Sequence, residues 1–232
     1  MMNFRAWFIM NKISSGIPGL DEILGGGLPE SSIILLSGTC GAGKTVLGMQ
    51  FLVSSPEPAI YVSFEEDMES VKENFGLFGW DVDKLENSNK LRLLQYDPFR
   101  LEDVLEVIQN NMREMGARRI VFDSVSALGT YMKDVAELRR MILQIGKLMK
   151  KSKCTALLIS ETLPNTNTLS RFGVEEFVAD GVISLDTTST GNELRRAITV
   201  WKMRGMNHSS KAHPYTITGR GISAAKSRTF HK

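Results

Sequence analysis

The chain has 232 residues, 42% of them hydrophobic, which suits one well-covered core and is short for two independent enzymatic domains. Its 28 Lys and Arg stand against 26 Asp and Glu, so no overall basic field of the kind that drives non-specific nucleic-acid binding is present. Only two cysteines occur, Cys40 and Cys154, far apart in sequence, which argues against a disulfide framework and for a reducing, cytoplasmic setting.

Residues 1–11 contain Trp7, Phe8 and Ile9 but neither a long apolar stretch nor a small-residue cleavage site. They read as an N-terminal arm outside the native core rather than a signal peptide, with Met1, Met2 and Met10 all candidate starts. From Ile33 onward short apolar runs alternate with helical patterns. Ile33 to Leu36, Ala59 to Val62, Leu91 to Leu94, Ile120 to Phe122 and Thr155 to Ile159 are expected to be strands buried on both faces. Leu101, Val104, Leu105, Ile108, Met112 and Met115 recur at helical spacing, as do Val135, Leu138, Ile142, Ile145 and Met149. The alternation predicts an α/β fold in which helices cover a mostly parallel central sheet. After Asp180, Val182 to Leu185, Leu194 to Trp201 and Tyr215 to Thr218 are strand-like, with turns at Gly191 and Gly205 and no helix between them, which predicts an antiparallel C-terminal edge extension. The core domain is expected over residues 12–222 and a flexible basic tail over 223–232. Every apolar run is far shorter than the ~20 residues of a membrane span, so no membrane insertion is expected.

One segment carries most of the chemistry. Gly38, Thr39, Cys40, Gly41, Ala42, Gly43, Lys44 and Thr45 fit G-x-x-x-x-G-K-[ST] between an apolar strand and the helical run Val46 to Leu52. Glycines let such a loop curl its N–H groups inward, and the following helix adds the positive end of its dipole, which suits a polyphosphate. Lys44 is expected to reach the β and γ phosphates of ATP, and the Thr45 hydroxyl to bind Mg2+; Val46, opening the helix, is grouped with the nucleotide-binding residues. A second acid is expected at the end of a neighbouring strand, and Arg119-Ile120-Val121-Phe122-Asp123 supplies Asp123 as a further metal ligand. Glu65 and Glu66 leave the strand that starts at Ala59 at the same sheet end. Glu65 is expected to polarise the attacking water and Glu66 to support metal or water, while the alternative places both in the acidic first turn of a helix from Glu66 to Phe75.

Several segments together resemble the KaiC family within the RecA superfamily. They are Ser15-Gly16-Ile17-Pro18-Gly19-Leu20-Asp21-Glu22-Ile23-Leu24-Gly25-Gly26-Gly27-Leu28-Pro29, Val62-Ser63-Phe64-Glu65-Glu66, Phe78-Gly79-Trp80, the run from Arg171 to Gly181, and Lys202-Met203-Arg204-Gly205 with His208 and Pro214. The resemblance implies a RecA-like P-loop ATPase domain in residues 12–222, assembled as a ring-like homo-oligomer, commonly a hexamer, with ATP at each interface. It makes Glu65, Glu66 and Lys44 the hydrolytic residues and sends Lys202 and Arg204 to the neighbour's nucleotide, with Met203, Met206 and His208 beside it. Circadian members have two fused lobes and phosphorylate themselves, whereas this chain has one P-loop. A nucleotide-driven switch is therefore expected. The alternatives are a recombination accessory ATPase binding single-stranded DNA like RadA paralogues, through Lys147, Lys150, Lys151, Lys153 and the tail Lys226, Arg228 and Lys232, or a weakly hydrolysing regulator docked on a protein partner.

Overall fold

A computed structural model describes residues 11–97, 104–163, 166, 168–190 and 193–225. The N-terminal arm before Asn11, Leu101, Gly191 and the basic tail residues Lys226, Arg228 and Lys232 lie outside the described residues.

The first strand of the sheet's centre, β3 (Ile33–Gly38), is buried along its length. Ile34 and Leu36 enter one core and Ile33 and Leu35 the other, as period-two alternation dictates for a strand covered on both sides. The same pattern builds β4 (Ala59–Ser63), β6 (Arg119–Asp123) and β7 (Thr155–Glu161), whereas β5 (Leu91–Gln95), expected to be buried on both faces, lies at the sheet edge and buries only Leu91 and Leu93 on one side. With β8 (Gly181–Thr190) they pair in parallel in the order β8-β3-β7-β6-β4-β5. Beyond β8 the sheet continues with β9 (Glu193–Met203), β10 (Ala212–Thr218) and β11 (Gly221–Ala224), each antiparallel to the strand before it. The expected edge extension is thus present.

One face is covered by α1 (Leu20–Ile23), α2 (Lys44–Val53), α3 (Met68–Gly76) and α4 (Val82–Asn87), which contribute Leu47, Phe51, Val71 and Phe75. The other is covered by α5 (Val104–Met115), α6 (Val125–Tyr131) and α7 (Val135–Ser152). Leu138, Ile142, Ile145 and Met149 of α7 form the buried stripe that their spacing predicts. Asp134 caps this helix by accepting from the Glu137 N–H at 2.8 Å.

Three points differ from the expectations. A two-strand sheet, β1 (Lys12–Ile13) with β2 (Leu28–Pro29), has no counterpart in the sequence pattern because two residues show no periodicity. The domain boundary at 222 falls inside β11, where Ser223 and Ala224 pair with Thr216 and Tyr215. Finally, β6 is not beside β3; β7 lies between them.

Candidate functional site

The carboxyl ends of β3, β7, β6 and β4 lie along one edge of the sheet, β6 and β4 stopping two residues short of β7 and β3. Gly38 pairs with Glu161, and Ser63 with Asp123. Whatever side chains follow these ends are delivered to one place, which is where open α/β sheets hold ligands. There the loop after β3 turns into α2 through Gly43, which adopts φ 89°. A Cβ on Gly43 would sit 2.6 Å from the Ile217 Cδ1 of β10, so both conformation and space call for glycine. Tyr215 of the same strand donates to the Ala42 carbonyl at 2.6 Å, so the antiparallel extension braces the loop from behind.

A cleft of about 430 Å³ opens here, lined by Cys40, Gly41, Gly43, Lys44, Thr45, Val46, Glu65, Glu66, Asp123, Ser124, Ile159, Glu161 and Ile217. Lys44, Thr45, Asp123, Glu65 and Glu66, separated by up to 79 positions, thus face one volume; Gly38 ends the strand beneath it. Lys44 donates to the Thr39 carbonyl at 2.9 Å. Burial lowers its pKa, while Glu161, Asp123 and Cys40 act in the opposite sense. Thr45 donates to Asp123 Oδ2 at 2.7 Å, and Tyr61 donates to the same oxygen at 2.9 Å. Burial raises the Asp123 pKa, and these two bonds and the charge of Lys44 restrain that rise.

Glu65 and Glu66 do not open a helix. The Ser63 hydroxyl accepts from the Glu66 N–H at 2.9 Å and donates to the Glu66 carbonyl at 2.8 Å, tying the chain into a turn at the strand exit. Helix α3 begins later, capped by Asp67, which accepts from the Ser70 N–H at 3.0 Å, and its first-turn acid is Glu69. Glu65 accepts from Ser124 at 3.4 Å. Its pKa is raised, first by burial and then by the charges of Glu161 and Asp123. A carboxylate pushed up in this way, beside a phosphate cradle, is suited to take a proton from water.

The donor set fits a magnesium ion. No group of three or more His, Cys, Asp or Glu able to hold a metal occurs among the described residues. One hydroxyl and one carboxylate, Thr45 and Asp123, match the sparse protein ligation of an ion that keeps waters and takes its remaining oxygens from phosphates.

The second set of expected residues lies elsewhere: none of Lys202, Met203, Arg204, Met206 and His208 lines this cleft. Lys202 donates to the Glu176 and Ala179 carbonyls at 3.0 and 2.7 Å, closing the end of α8 (Glu175–Val178). Arg204 pairs with Asp180 at 3.4 Å and keeps 54% of its side chain exposed. Met203 is 5% exposed and its sulfur packs in its own core against Gly181. Met206 is packed on the same core, and His208 Nδ1 lies 3.0 Å from the Ser209 carbonyl.

Glu161, Ser124 and Ile217 line the cleft without having been expected there. Glu161 ends an apolar strand just as Asp123 does, a signal that could have found it. Ile217 carries no local signal, since its approach to Gly43 depends on the folding of β10 over the loop.

The KaiC ATPase family model matches residues 13–229. A UPF0273 protein of Pyrococcus furiosus is 37% identical over 92% of this chain and 94% of its own. Another from Thermotoga maritima is 38% identical over 92% and 96%. The circadian clock oscillator protein KaiC of Picosynechococcus is 36% identical over 92% of this chain, which spans 44% of that protein. The crystal structure of a KaiC-like protein from Pyrococcus horikoshii superposes with a TM-score of 0.85 at 32% identity, covering 93% of this chain and 99% of that one.

Proposed function

The chain belongs to the KaiC ATPase family, and on that premise we propose that it binds ATP with Mg2+ and hydrolyses it at the interfaces of a ring-like homo-oligomer, as a nucleotide-driven switch. The observation that carries this reading is the 2.7 Å contact between Thr45 and Asp123 in a cleft that also holds Lys44, Glu65 and Glu66. Lys44 exchanges the Thr39 carbonyl for phosphate oxygens, and the loop N–H groups take the rest of the polyphosphate. Thr45 and Asp123 would hold the cation, which when bound would supply positive charge to the phosphate oxygens. Glu65 accepts the proton of the attacking water while the water oxygen bonds the γ-phosphorus and the bond to the bridging oxygen breaks. Glu66, with its backbone fixed by Ser63, steadies the water network beside it.

Arg204 is the cation better placed to serve a neighbouring subunit, because half its side chain is exposed even though it bonds Asp180 and the Phe177 carbonyl, whereas the Lys202 ammonium is taken up by the Glu176 and Ala179 carbonyls. We assign Lys202 the supporting part, holding α8 while Arg204 reaches across. Among the described residues no helix is long and apolar enough to cross a membrane. Lys147, Lys150 and Lys151 are exposed on the last turns of α7, where cations complement the helix dipole without any nucleic acid, so single-stranded DNA is the weaker reading. The test is ATP turnover by the purified chain with Glu65→Gln beside it. The variant is expected to keep ATP affinity within about threefold and to lose turnover by about 100-fold or more. Unchanged turnover would remove Glu65 from the chemistry.

A further inference from the structure

Asp123 receives two hydroxyl donors, and only one of them belongs to the phosphate-binding motif. The other comes from inside the protein. Tyr61 is among the largest fully buried side chains, and its strand, β4, is otherwise apolar up to Ser63. Alternation along β4 and β6 puts Tyr61 on the same sheet face as Val121 and Asp123, given that Tyr61 pairs with Val121 and Ser63 with Asp123. The hydroxyl therefore points along the sheet to the strand end and donates to Asp123 Oδ2 at 2.9 Å, while Thr45 approaches the same oxygen at 2.7 Å. The ring is held edge-on against Phe75, with centroids 6.1 Å apart at 77°, and Phe75 is backed by Trp80 at 5.8 Å. A tyrosine so enclosed has few other rotamers to occupy.

We propose that Tyr61 is a positioning residue for the cation: its hydroxyl fixes the Asp123 carboxylate from the core side, so that the carboxylate is ready to meet the water shell of Mg2+. This rests on the assignment of Thr45 and Asp123 as the magnesium ligands. The logic is one of division. A threonine hydroxyl can offer its oxygen to a cation while its O–H still donates to Oδ2, so Thr45, at the start of α2, couples metal and carboxylate from the ligand side. Tyr61 is anchored in the core and sets the carboxylate independently of whether the loop is filled. Without it, the buried carboxylate oxygen would keep the Thr45 hydroxyl alone of these two donors and turn more freely.

The conservative variant is Tyr61→Phe, which keeps the ring and its packing on Phe75. ADP binding to wild type and variant is titrated by calorimetry without metal and across a Mg2+ series, and bound Mn2+ is counted by electron paramagnetic resonance on the same proteins. The expected result is equal metal-free ADP affinity, an about tenfold increase in the Mg2+ concentration needed for half-maximal tightening, and a matching loss of Mn2+ affinity. Identical metal dependence in the two proteins would overturn the proposal, as would a loss of ADP affinity equal with and without metal, because that is the mark of a merely structural tyrosine. A wild-type chain whose ADP binding ignores Mg2+ would overturn the metal-site assignment itself, and the role of Tyr61 with it.

Discussion

The end of the parallel sheet and the end of its antiparallel extension each present a lysine, and the two are held differently. Lys44 leans on one carbonyl of its own loop, between Glu161 and Asp123, inside a cleft. Lys202 spans two carbonyls at the end of α8, with Arg204 beside it half in solvent. The first lysine can trade its single partner for a phosphate without disturbing the fold. The second would have to abandon the carbonyls of a helix end, which someone must then satisfy. The parallel end is therefore a cleft open to a ligand, while the extension ends in cations bonded to their own chain, Lys202 to the end of α8 and Arg204 to Asp180 and the Phe177 carbonyl, of which the proposed ring would redirect Arg204 to a second copy.

Breaking the parallel end should have the larger consequence. Lys44→Ala is expected to leave neither tight ATP binding nor measurable turnover, checked by calorimetry and phosphate release; normal binding would remove the loop from its assigned role. Arg204→Ala sharpens the contrast from the other side. Its ATP affinity should change little while turnover falls by about 1,000-fold, the scale of an arginine acting in trans. Mixing it with Lys44→Ala protein should restore part of the activity, because an interface pairing an intact loop with an intact Arg204 then exists. No recovery in the mixture would place Arg204 outside the reaction.

The smallest effect concerns pH. Glu65 must be ionised to accept a proton, and burial with the charges of Glu161 and Asp123 raises its pKa, so turnover should be lost as pH falls through that raised value. Glu161→Gln removes one of those charges, and the acid limb should move to lower pH. The same charge holds up the pKa of Lys44, so any alkaline limb set by Lys44 should move down as well. A pH–rate profile that does not shift would show that Glu161 is screened from both.

The two regions also differed in how far they could be read from sequence. At the parallel end the motif residues announce themselves locally: glycines and Lys44-Thr45 between strand and helix, and an acid at the close of an apolar run. Even the misjudged neighbour follows from this, since apolar runs mark strands without giving their order, and β7 with Glu161 slipped between β3 and β6. In the extension the strands were legible by alternation, but their side-chain assignments were not. Met203 lies next to two charged residues in sequence and yet turns into the core, because the strand alternates and the Lys202 stem serves α8 on the other side. Tyr61 shows the remaining limit: an apolar strand gives no hint that one hydroxyl in it meets Asp123.

The most direct test of an active site shared between subunits is the Mg2+-dependent ATPase rate per subunit over a wide range of protein concentration, with assembly followed in parallel by light scattering. Specific activity should rise to a plateau as the chains associate and fall on dilution to dissociated chains. A rate per subunit that stays constant while the assembly comes apart would contradict the account and make each chain sufficient alone.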